Sequence, residues 1–321
     1  MEHWKSEMLS AIFRNDGQLV DLEKGLLIKY ENIPSKLYKY YSFSEYSKKN
    51  LLDSTIWLSF PEKFNDPYDS ALTYTIMDLF KHGFSSELQD IFSNEWRGEG
   101  KLTGAEKMQI LDSEDTLSSF MDTIINKNDE IKSAHREGIK NGLYGYIYSS
   151  IYEMLKSLSD INKKSMVISC FSELNNSMLM WSHYANYHKG FCLEYDFSSL
   201  PTSDIRTQLL YPVIYQDELL NVTEYLQSDD VKNVFSVRAA ITKSKEWEYE
   251  KEWRMIAPFG LDVKEMVWSV PLPKSIYAGS KIDNNDHIFL KEYAEKNNIE
   301  LYQAKMKENE FKIDFIRVNG I

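Results

Sequence analysis

Acidic and aromatic residues alternate in the segment EWEYEKEWRMI, which covers residues 246–256. If this segment is a β-strand, its side chains alternate between two faces, and one face carries Glu246, Glu248, Glu250, Glu252 and Arg254. The tryptophans and the tyrosine then lie on the opposite face and pack against the sheet. A carboxylate beside an opening can stabilise positive charge that develops on a substrate. In that arrangement Glu252 faces a solvated cleft, so we expect its charge to matter for chemistry and little for folding.

A solvated helix is the alternative for the same segment. Glu248 and Glu252, and likewise Glu250 and Arg254, are four residues apart and would form surface pairs on a helix. The apolar continuation RMIAPF favours the strand, because it is typical of a strand that enters a core.

The segment LSFPEKFNDPYD, residues 58–69, predicts a rigid loop with three polar residues, Asn65, Asp66 and Asp69. Pro61 and Pro67 restrict the backbone within it. One interpretation is ordinary turn chemistry, since Asn and Asp side chains hydrogen-bond to nearby backbone. The functional interpretation is that the loop places a carboxylate or backbone amides near a ligand.

Two histidines and several aromatic residues occur in MLMWSHYANYHKGFCLEYD, residues 178–196. A helix at the start of this segment places His183 and Tyr184 either in the core or at the edge of a pocket, where they would hydrogen-bond and stack. His183 and His188 are five residues apart, which does not match the i, i+4 pair of a helical zinc site. We therefore expect no metal site here.

The order of the predicted strands and helices that must position these residues indicates an α+β fold with a mixed or antiparallel sheet. Aromatic and β-branched runs predict strands at 36–42, 55–60, 166–173, 190–196 and 209–216, with further strands after residue 250. Helices are predicted over 2–15, 217–242 and 285–297. Two more helices should begin at the capping boxes Ser42–Glu45 and Thr103–Glu106. Strand signals are almost absent over 71–165, which predicts an inserted helical lobe between two parts of one core, 1–70 and 166–321.

Composition limits the classes of partner. The chain has 321 residues, 43% of them hydrophobic, and a net charge of −12. That charge argues against broad, non-specific nucleic-acid binding, which needs Lys and Arg at the phosphates. We see no secretory signal and no run of about 18 apolar residues, so we expect no membrane contact. Cys170 and Cys192 lie in apolar, strand-like runs and are interpreted as buried thiols of a cytoplasmic protein.

These motifs together resemble a family of bacterial proteins, domain of unknown function 2971. The resemblance rests on LYKYYS, IWLSFPEKFNDPYD, CFSELNNSMLMWSHYANYHKGFCLEYD and WEYEKEWRMI, which occur in that order within about residues 36–260. The family name implies no activity.

A weaker resemblance is to the ADP-ribosyltransferases, in which a split sheet clamps NAD. It rests on a tyrosine-bearing early strand and a late strand that begins with Glu-x-Glu, here Glu250 and Glu252. The resemblance implies that Glu252 stabilises the positive charge on the sugar as nicotinamide leaves, and that Glu250 orients or activates the acceptor. His183 is a further catalytic candidate. NAD is the implied cofactor, with candidate contacts from Tyr38, Tyr40, Ser59, Asn65, Asp66, Tyr184 and Arg254.

The leading hypothesis from the sequence is therefore an NAD-dependent ADP-ribosyltransferase. It would be a toxin or phage-defence effector that modifies a nucleic acid or a protein, with an antitoxin as a further expected partner. If the hypothesis holds, one concave pocket should be lined by Tyr38 or Tyr40, Asp66, His183 and Glu252.

Two alternatives stay open. A metal-dependent hydrolase or nuclease would gather oxygen and nitrogen ligands around Mg²⁺ or Mn²⁺ from Asp66, Asp69, His183 and Glu252. A non-catalytic sensor would use an aromatic pocket to bind a ligand or a partner protein.

Overall fold

The computed structural model describes residues 1–13, 21–86, 102–129, 131–223, 225 and 234–318. In chain order the α-helices are α1 (His3–Ile12), α2 (Leu22–Glu31), α3 (Glu45–Leu52), α4 (Ile76–Ser86), α5 (Gly104–Asp112), α6 (Thr116–Lys127), α7 (Ser133–Lys164), α8 (Met178–Tyr184), α9 (Ile205–Leu209), α10 (Val234–Ala240) and α11 (Asn284–Asn297). None of the helices in these ranges has both the length and the apolar character needed to cross a lipid bilayer.

The strands in chain order are β1 (Leu37–Tyr41), β2 (Thr55–Leu58), β3 (Leu72–Thr73), β4 (Val167–Ser172), β5 (Phe191–Tyr195), β6 (Leu210–Pro212), β7 (Ile214–Gln216), β8 (Leu220–Asn221), β9 (Thr242–Ser244), β10 (Glu252–Ala257), β11 (Met266–Ser269), β12 (Ser275–Ala278), β13 (Glu300–Met306) and β14 (Ile313–Arg317). Eight of them form one sheet in the order β14-β13-β12-β5-β1-β4-β10-β6. β12 and β13 pair parallel, and the other neighbours pair antiparallel. The α+β class and the mixed sheet predicted from the sequence are confirmed.

The chain divides into two compact units. The first unit comprises Met1–Ala71, Asn162–Leu219 and Asn233–Ile321, and it contains the large sheet. The second comprises Leu72–Ile161 and Leu220–Lys232. Its described part is mainly helical, with an apolar core that includes Phe80, Ile110 and Phe120, and with one parallel pair of two-residue strands, β3 and β8. The second unit thus takes in a segment from residue 220 that the sequence did not assign to a lobe.

Both faces of the large sheet are covered, and residues on both sides of central strands such as β5 and β10 are buried. On one face Leu37, Leu193 and Trp253 belong to the largest apolar cluster. On the other face Tyr40 packs edge-on against Trp181 of α8, with ring centroids 5.3 Å apart. The helix α8 is thereby fixed over the centre of the sheet.

The segment EWEYEKEWR is not one continuous strand, so that prediction is wrong for its first half. Residues Lys245–Glu250 form a 3₁₀ helix, capped by the Ser244 hydroxyl, which accepts from the Glu246 amide. Lys251 has a left-handed backbone with φ of 45°, and β10 begins only at Glu252. The 3₁₀ helix and the left-handed residue Lys251 interrupt the extended backbone that the alternating sequence predicts. Glu252 and Arg254 therefore share a strand face, whereas Glu246 and Glu248 are exposed.

Several boundaries also differ from the sequence predictions. The cap of α3 is Ser44 with Ser47, not Ser42 with Glu45, whereas the capping box Thr103–Glu106 is confirmed. The strand predicted over 209–216 is broken into β6 and β7, which belong to different sheets. The helix predicted over 217–242 is wrong at its start, where residues 217–219 are not helical and β8 follows, and α10 ends before β9; residues 224 and 226–233 lie outside the described residues.

Candidate functional site

A cavity of about 200 Å³ lies in the first unit, at the centre of the large sheet. Its walls include consecutive residues of β1, Tyr38 to Tyr40, and of β4, Ile168 to Ser172. Consecutive residues of a strand point to opposite faces. A cavity that contacts all of them must therefore reach the edges of both strands, and not only one face of the sheet.

The reason is that β1 and β4 separate soon after they meet. Tyr38 and Ser172 form the one register pair between these two strands, whereas β1 pairs with β5 along its whole length. Farther along β4, the backbone of Ser59 takes the vacated position: its amide donates to the Ile168 carbonyl at 3.0 Å and its carbonyl accepts from the Ile168 amide at 2.8 Å. The sheet is thus opened between two of its central strands.

A buried guanidinium organises one wall of the cavity. Arg254 on β10 donates from Nε and Nη2 to both carboxylate oxygens of Glu252, at 2.8 and 3.1 Å. It also donates from Nη1 and Nη2 to the two carboxylate oxygens of Asp69, at 2.8 and 2.5 Å, and from Nη1 to the Ala240 carbonyl. All five N–H groups of the guanidinium are used in this way. Arg254 therefore has a fixed orientation and no free donor for a ligand.

A second cation links the two glutamates. Lys243 on β9 donates from Nζ to Glu250 Oε2 at 2.5 Å and to Glu252 Oε2 at 2.9 Å. The hydroxyl of Tyr184, the last residue of α8, donates to Glu250 Oε1 at 2.7 Å. The left-handed turn at Lys251 brings both carboxylates to the same ammonium group, although they lie on different elements.

Burial and neighbouring charges move the pKa values of the two glutamates in opposite directions. Burial by itself raises the pKa of Glu252, but the charges of Arg254 and Lys243 outweigh it and lower that pKa to about 2. The pKa of Glu250 is raised, first by burial and then by the charge of Glu252. Glu252 is therefore ionised at neutral pH, and Glu250 is the better group for taking or giving a proton.

The burial of Glu252 corrects one expectation from the sequence. The side chain does not face a solvated cleft, because the residue is only 5% exposed and its carboxylate binds two cations. Removing its charge would leave buried cations with fewer partners, and folding should suffer. Glu252 is therefore both a charge beside the cavity and part of a structural ion pair.

The structure brings most of the predicted site residues into this one cavity. The residues that line it include Tyr38, Tyr40, Ser59, Asn65, Tyr184, Glu250, Glu252 and Arg254. Within this set Tyr40 already has a structural role, since its hydroxyl donates to the Leu174 carbonyl at 2.7 Å. Asn65 is exposed, on the loop that follows the 3₁₀ turn Pro61–Lys63.

His183 and Asp66 are not among the lining residues. His183 is exposed, because α8 turns its Trp181 and Met180 toward the sheet and ends one residue later. Asp66 is buried and its carboxylate accepts from the Tyr68 amide at 2.9 Å, which is ordinary turn chemistry. The single pocket expected from Tyr38 or Tyr40, Asp66, His183 and Glu252 therefore forms without two of its four members.

The four residues suggested as metal ligands for a hydrolase or nuclease do not converge either. Asp66 and His183 lie outside the cavity, and the carboxylates of Asp69 and Glu252 already bind Arg254. Within the described ranges, no group of three or more His, Cys, Asp or Glu side chains is arranged to hold a metal ion.

Sequence reasoning missed two lysines that line the cavity, Lys39 and Lys243. Lys39 was visible as the one cation in the aromatic strand sequence LYKYY. Lys243 follows an apolar run and precedes the glutamates, but only the turn between β9 and β10 brings it to them. The first could have been found from its pattern, the second could not.

Chemically, the cavity combines a carboxylate of fixed charge with a carboxyl group of raised pKa. The first can stabilise a positive charge in a low-dielectric site, and the second can accept a proton from an attacking group. Tyr184 is held as a hydrogen-bond donor, because burial and then the charge of Glu250 raise the pKa of its hydroxyl. This set of groups suits cleavage of a bond that leaves a cationic carbon.

No curated protein and no solved structure matches this chain. One family model matches residues 180–255, a range that carries Tyr184, Lys243, Glu250, Glu252 and Arg254. This match agrees with part of the resemblance noted from the motifs, and it covers the charged residues of the cavity wall other than Lys39 and Asp69. The family with which residues 180–255 are identified is described as "Protein of unknown function (DUF2971)".

Proposed function

We propose that this protein transfers ADP-ribose from NAD to an acceptor, and that the cavity between β1 and β4 holds the reacting end of NAD. The observation that carries the proposal is the opening of the large sheet between these strands, with Glu250 and Glu252 in the wall of the opening. The opening supports the proposal, because the resemblance to ADP-ribosyltransferases implies a split sheet with the Glu-x-Glu pair beside the split.

The residues of the cavity fit one end of a dinucleotide. Its volume of about 200 Å³ is below the roughly 300–1,000 Å³ of sites that enclose a whole drug-sized ligand, so it would take only part of NAD. The rings of Tyr38, Trp57 and Phe64 line it and offer flat apolar surfaces to a nicotinamide ring. The carboxylates supply acceptors for ribose hydroxyls.

Each charged residue has a role in this proposal. NAD supplies the bond between nicotinamide and ribose, which breaks as the ADP-ribosyl group passes to the acceptor. Glu252 contributes its fixed negative charge beside the sugar, and Arg254 and Lys243 hold its carboxylate in one orientation. Glu250 takes the proton that the acceptor loses, and Tyr184 positions Glu250 through Oε1. His183, which lies outside the cavity, has no role here.

The wider biology follows the same resemblance. The acceptor would be a nucleic acid or a protein, and the enzyme would act in the cytoplasm as a toxin or phage-defence effector. An antitoxin that covers the cavity would then be its natural inhibitor.

The proposal is tested first by NAD binding, which needs no knowledge of the acceptor. Calorimetry and thermal melts with NAD should show binding and stabilisation without added divalent metal. Nicotinamide release, followed by mass spectrometry, should fall about 10²-fold or more in Glu250→Gln, because a general base contributes about 10²–10⁴ in rate. The control is Glu246→Gln, which changes an exposed glutamate of the same segment. A protein that neither binds NAD nor releases nicotinamide would contradict the proposal.

A second candidate, a non-catalytic sensor, is favoured by one observation. The carboxylate of Glu252 already accepts three hydrogen bonds from Lys243 and Arg254, as expected of a structural ion pair. For a sensor, NAD or another ligand would bind to the cavity without turnover, and Glu250→Gln would leave that binding unchanged.

A further inference from the structure

The charged residues of the cavity are unequally matched. Three carboxylates line it, those of Asp69, Glu250 and Glu252, and two cations, Lys243 and Arg254, pair with them. A third cation, Lys39, also lines the cavity but takes no part in this network. Within the described residues, no carboxylate oxygen lies within ion-pair distance of its Nζ, that is, within 4.0 Å.

The surroundings of Lys39 leave donors free. Its Nζ donates to the Cys170 carbonyl at 3.0 Å, across the gap between β1 and β4. The rings of Tyr41 and Phe171 lie 5.7 and 5.3 Å from the same nitrogen. An ammonium group has three N–H donors, and the Cys170 carbonyl uses one. Two donors therefore remain beside the cavity without a hydrogen-bond acceptor among the described residues.

Lys39 also lies on a different face of the sheet from the paired charges. Lys39 alternates with Tyr38 and Tyr40 along β1, whereas Glu252 and Arg254 lie on the face shared with those tyrosines. The opening between β1 and β4 lets one cavity reach both sets. A ligand in it would meet hydrogen-bond acceptors on one side and an unmatched cation on the other.

We infer that Lys39 binds an oxyanion of the ligand, and that this oxyanion is a phosphate ester on a hydroxyl-bearing molecule. Lysine binds phosphate as a compact point charge, and a partly buried ammonium without a close counter-ion gains most from an anion that arrives with the ligand. The hydroxyls of the same molecule would reach the carboxylates of the opposite wall. A free phosphate ion would fill only part of a cavity of about 200 Å³. Burial lowers the pKa of Lys39 by more than the neighbouring Cys170 and Glu252 raise it, which agrees with an ammonium group that has no close ion-pair partner.

This inference goes beyond the proposed function, because it holds for any sugar phosphate or nucleotide and needs no transfer of ADP-ribose. It predicts which group of the ligand lies at β1. A protein that fails to consume NAD could still bind a phosphate ester at Lys39.

The test is site-resolved acetylation of the full-length wild-type chain, read by mass spectrometry at constant pH and ionic strength. The probes are ribose 5-phosphate, inorganic phosphate and ribose. At about ten times its Kd, ribose 5-phosphate should slow acetylation of Lys39 about tenfold. Lys305, an exposed lysine of β13, should react equally in all samples. If inorganic phosphate protects Lys39 as well as ribose 5-phosphate does at the same concentration, the site binds free phosphate. That result would overturn the part of the inference that concerns a sugar phosphate.

Variants provide the second readout. Ribose 5-phosphate should raise the Tm of wild type and of Lys39→Arg, and should leave the Tm of Lys39→Met unchanged. The acetylation experiment uses only wild type, so it decides the question even if Lys39→Met does not fold. Unchanged acetylation of Lys39 with every probe, or an equal Tm shift in Lys39→Met, would overturn the inference.

Discussion

The two walls of the cavity treat buried charge in opposite ways. On the β10 wall, Arg254 and Lys243 are surrounded by Asp69, Glu250 and Glu252, and every guanidinium donor has a partner. On the β1 wall, a lysine with one hydrogen bond lies among aromatic rings.

This difference separates scaffold from binding surface. A buried charge that is fully paired fixes the positions of its neighbours, and removing one partner costs several kcal/mol because the other charge stays buried. An unmatched charge contributes little to folding and is available to a ligand. The paired wall should therefore carry the stability of the site, and the unmatched wall should carry its selectivity.

The largest effect is expected from Arg254→Met. The change keeps a long apolar side chain but leaves the carboxylates of Asp69 and Glu252 without the guanidinium, so we expect a loss of roughly 3–5 kcal/mol in the free energy of unfolding. Urea unfolding measures it. The matched control is Lys245→Met, which removes the exposed ion pair with Asp217 and should leave stability almost unchanged, because solvent screens exposed charges. If both changes lower the free energy of unfolding equally, the buried ion pairs of Arg254 contribute no more to stability than an exposed ion pair does.

A smaller effect, with a pH signature, is expected from Glu252→Gln. The amide keeps the shape of the side chain but loses the charge that pairs with Arg254 and Lys243, so we expect a cost of roughly 2–3 kcal/mol at neutral pH. The folded-state pKa of Glu252 is lowered to about 2 from an ordinary value of 4.5. A lowered folded-state pKa stabilises the protein above the unfolded pKa, and this stabilisation is lost as the pH falls from about 4.5 toward 2.

The measurement is the urea midpoint of wild type and Glu252→Gln at several pH values between neutral and acid. The wild type should lose its advantage over the variant as the pH falls through this window. If the difference between the two proteins stays constant with pH, Glu252 is not the group whose ionisation holds this wall together.

The sequence predicted much of the fold and part of the site, for reasons that particular residues make clear. Strands such as β1 and β5 were found because their aromatic and β-branched residues prefer a pleated, buried surface. The segment before β10 was mispredicted because alternation alone cannot reveal the left-handed turn at Lys251. That turn is stabilised by the ion pairs of Lys243 on β9 with Glu250 and Glu252. The alternation of residue types in the sequence does not reveal these contacts.

Within the site, the glutamates were found but their partners were not. Glu250, Glu252 and Arg254 stood out by spacing, whereas the pairing of Arg254 with Asp69 spans a long stretch of chain and depends on the tertiary fold. His183 was chosen by residue type, and only the packing of Trp181 against Tyr40 determines that the histidine points away from the cavity. Long-range pairing is the information that one sequence lacks.

The smallest effect on folding is expected from Lys39→Met, on the unmatched wall. Burial lowers the pKa of Lys39, which means that the folded protein disfavours its charged form, so an apolar replacement removes a cost along with one hydrogen bond. The two terms oppose each other, and the free energy of unfolding should change by less than about 1 kcal/mol in either direction. The control for the general effect of losing a lysine is Lys305→Met on β13. Urea unfolding of both variants beside Arg254→Met gives the comparison directly. A loss from Lys39→Met as large as that from Arg254→Met would mean that both walls are scaffold, and that the cation on β1 serves the fold before any ligand.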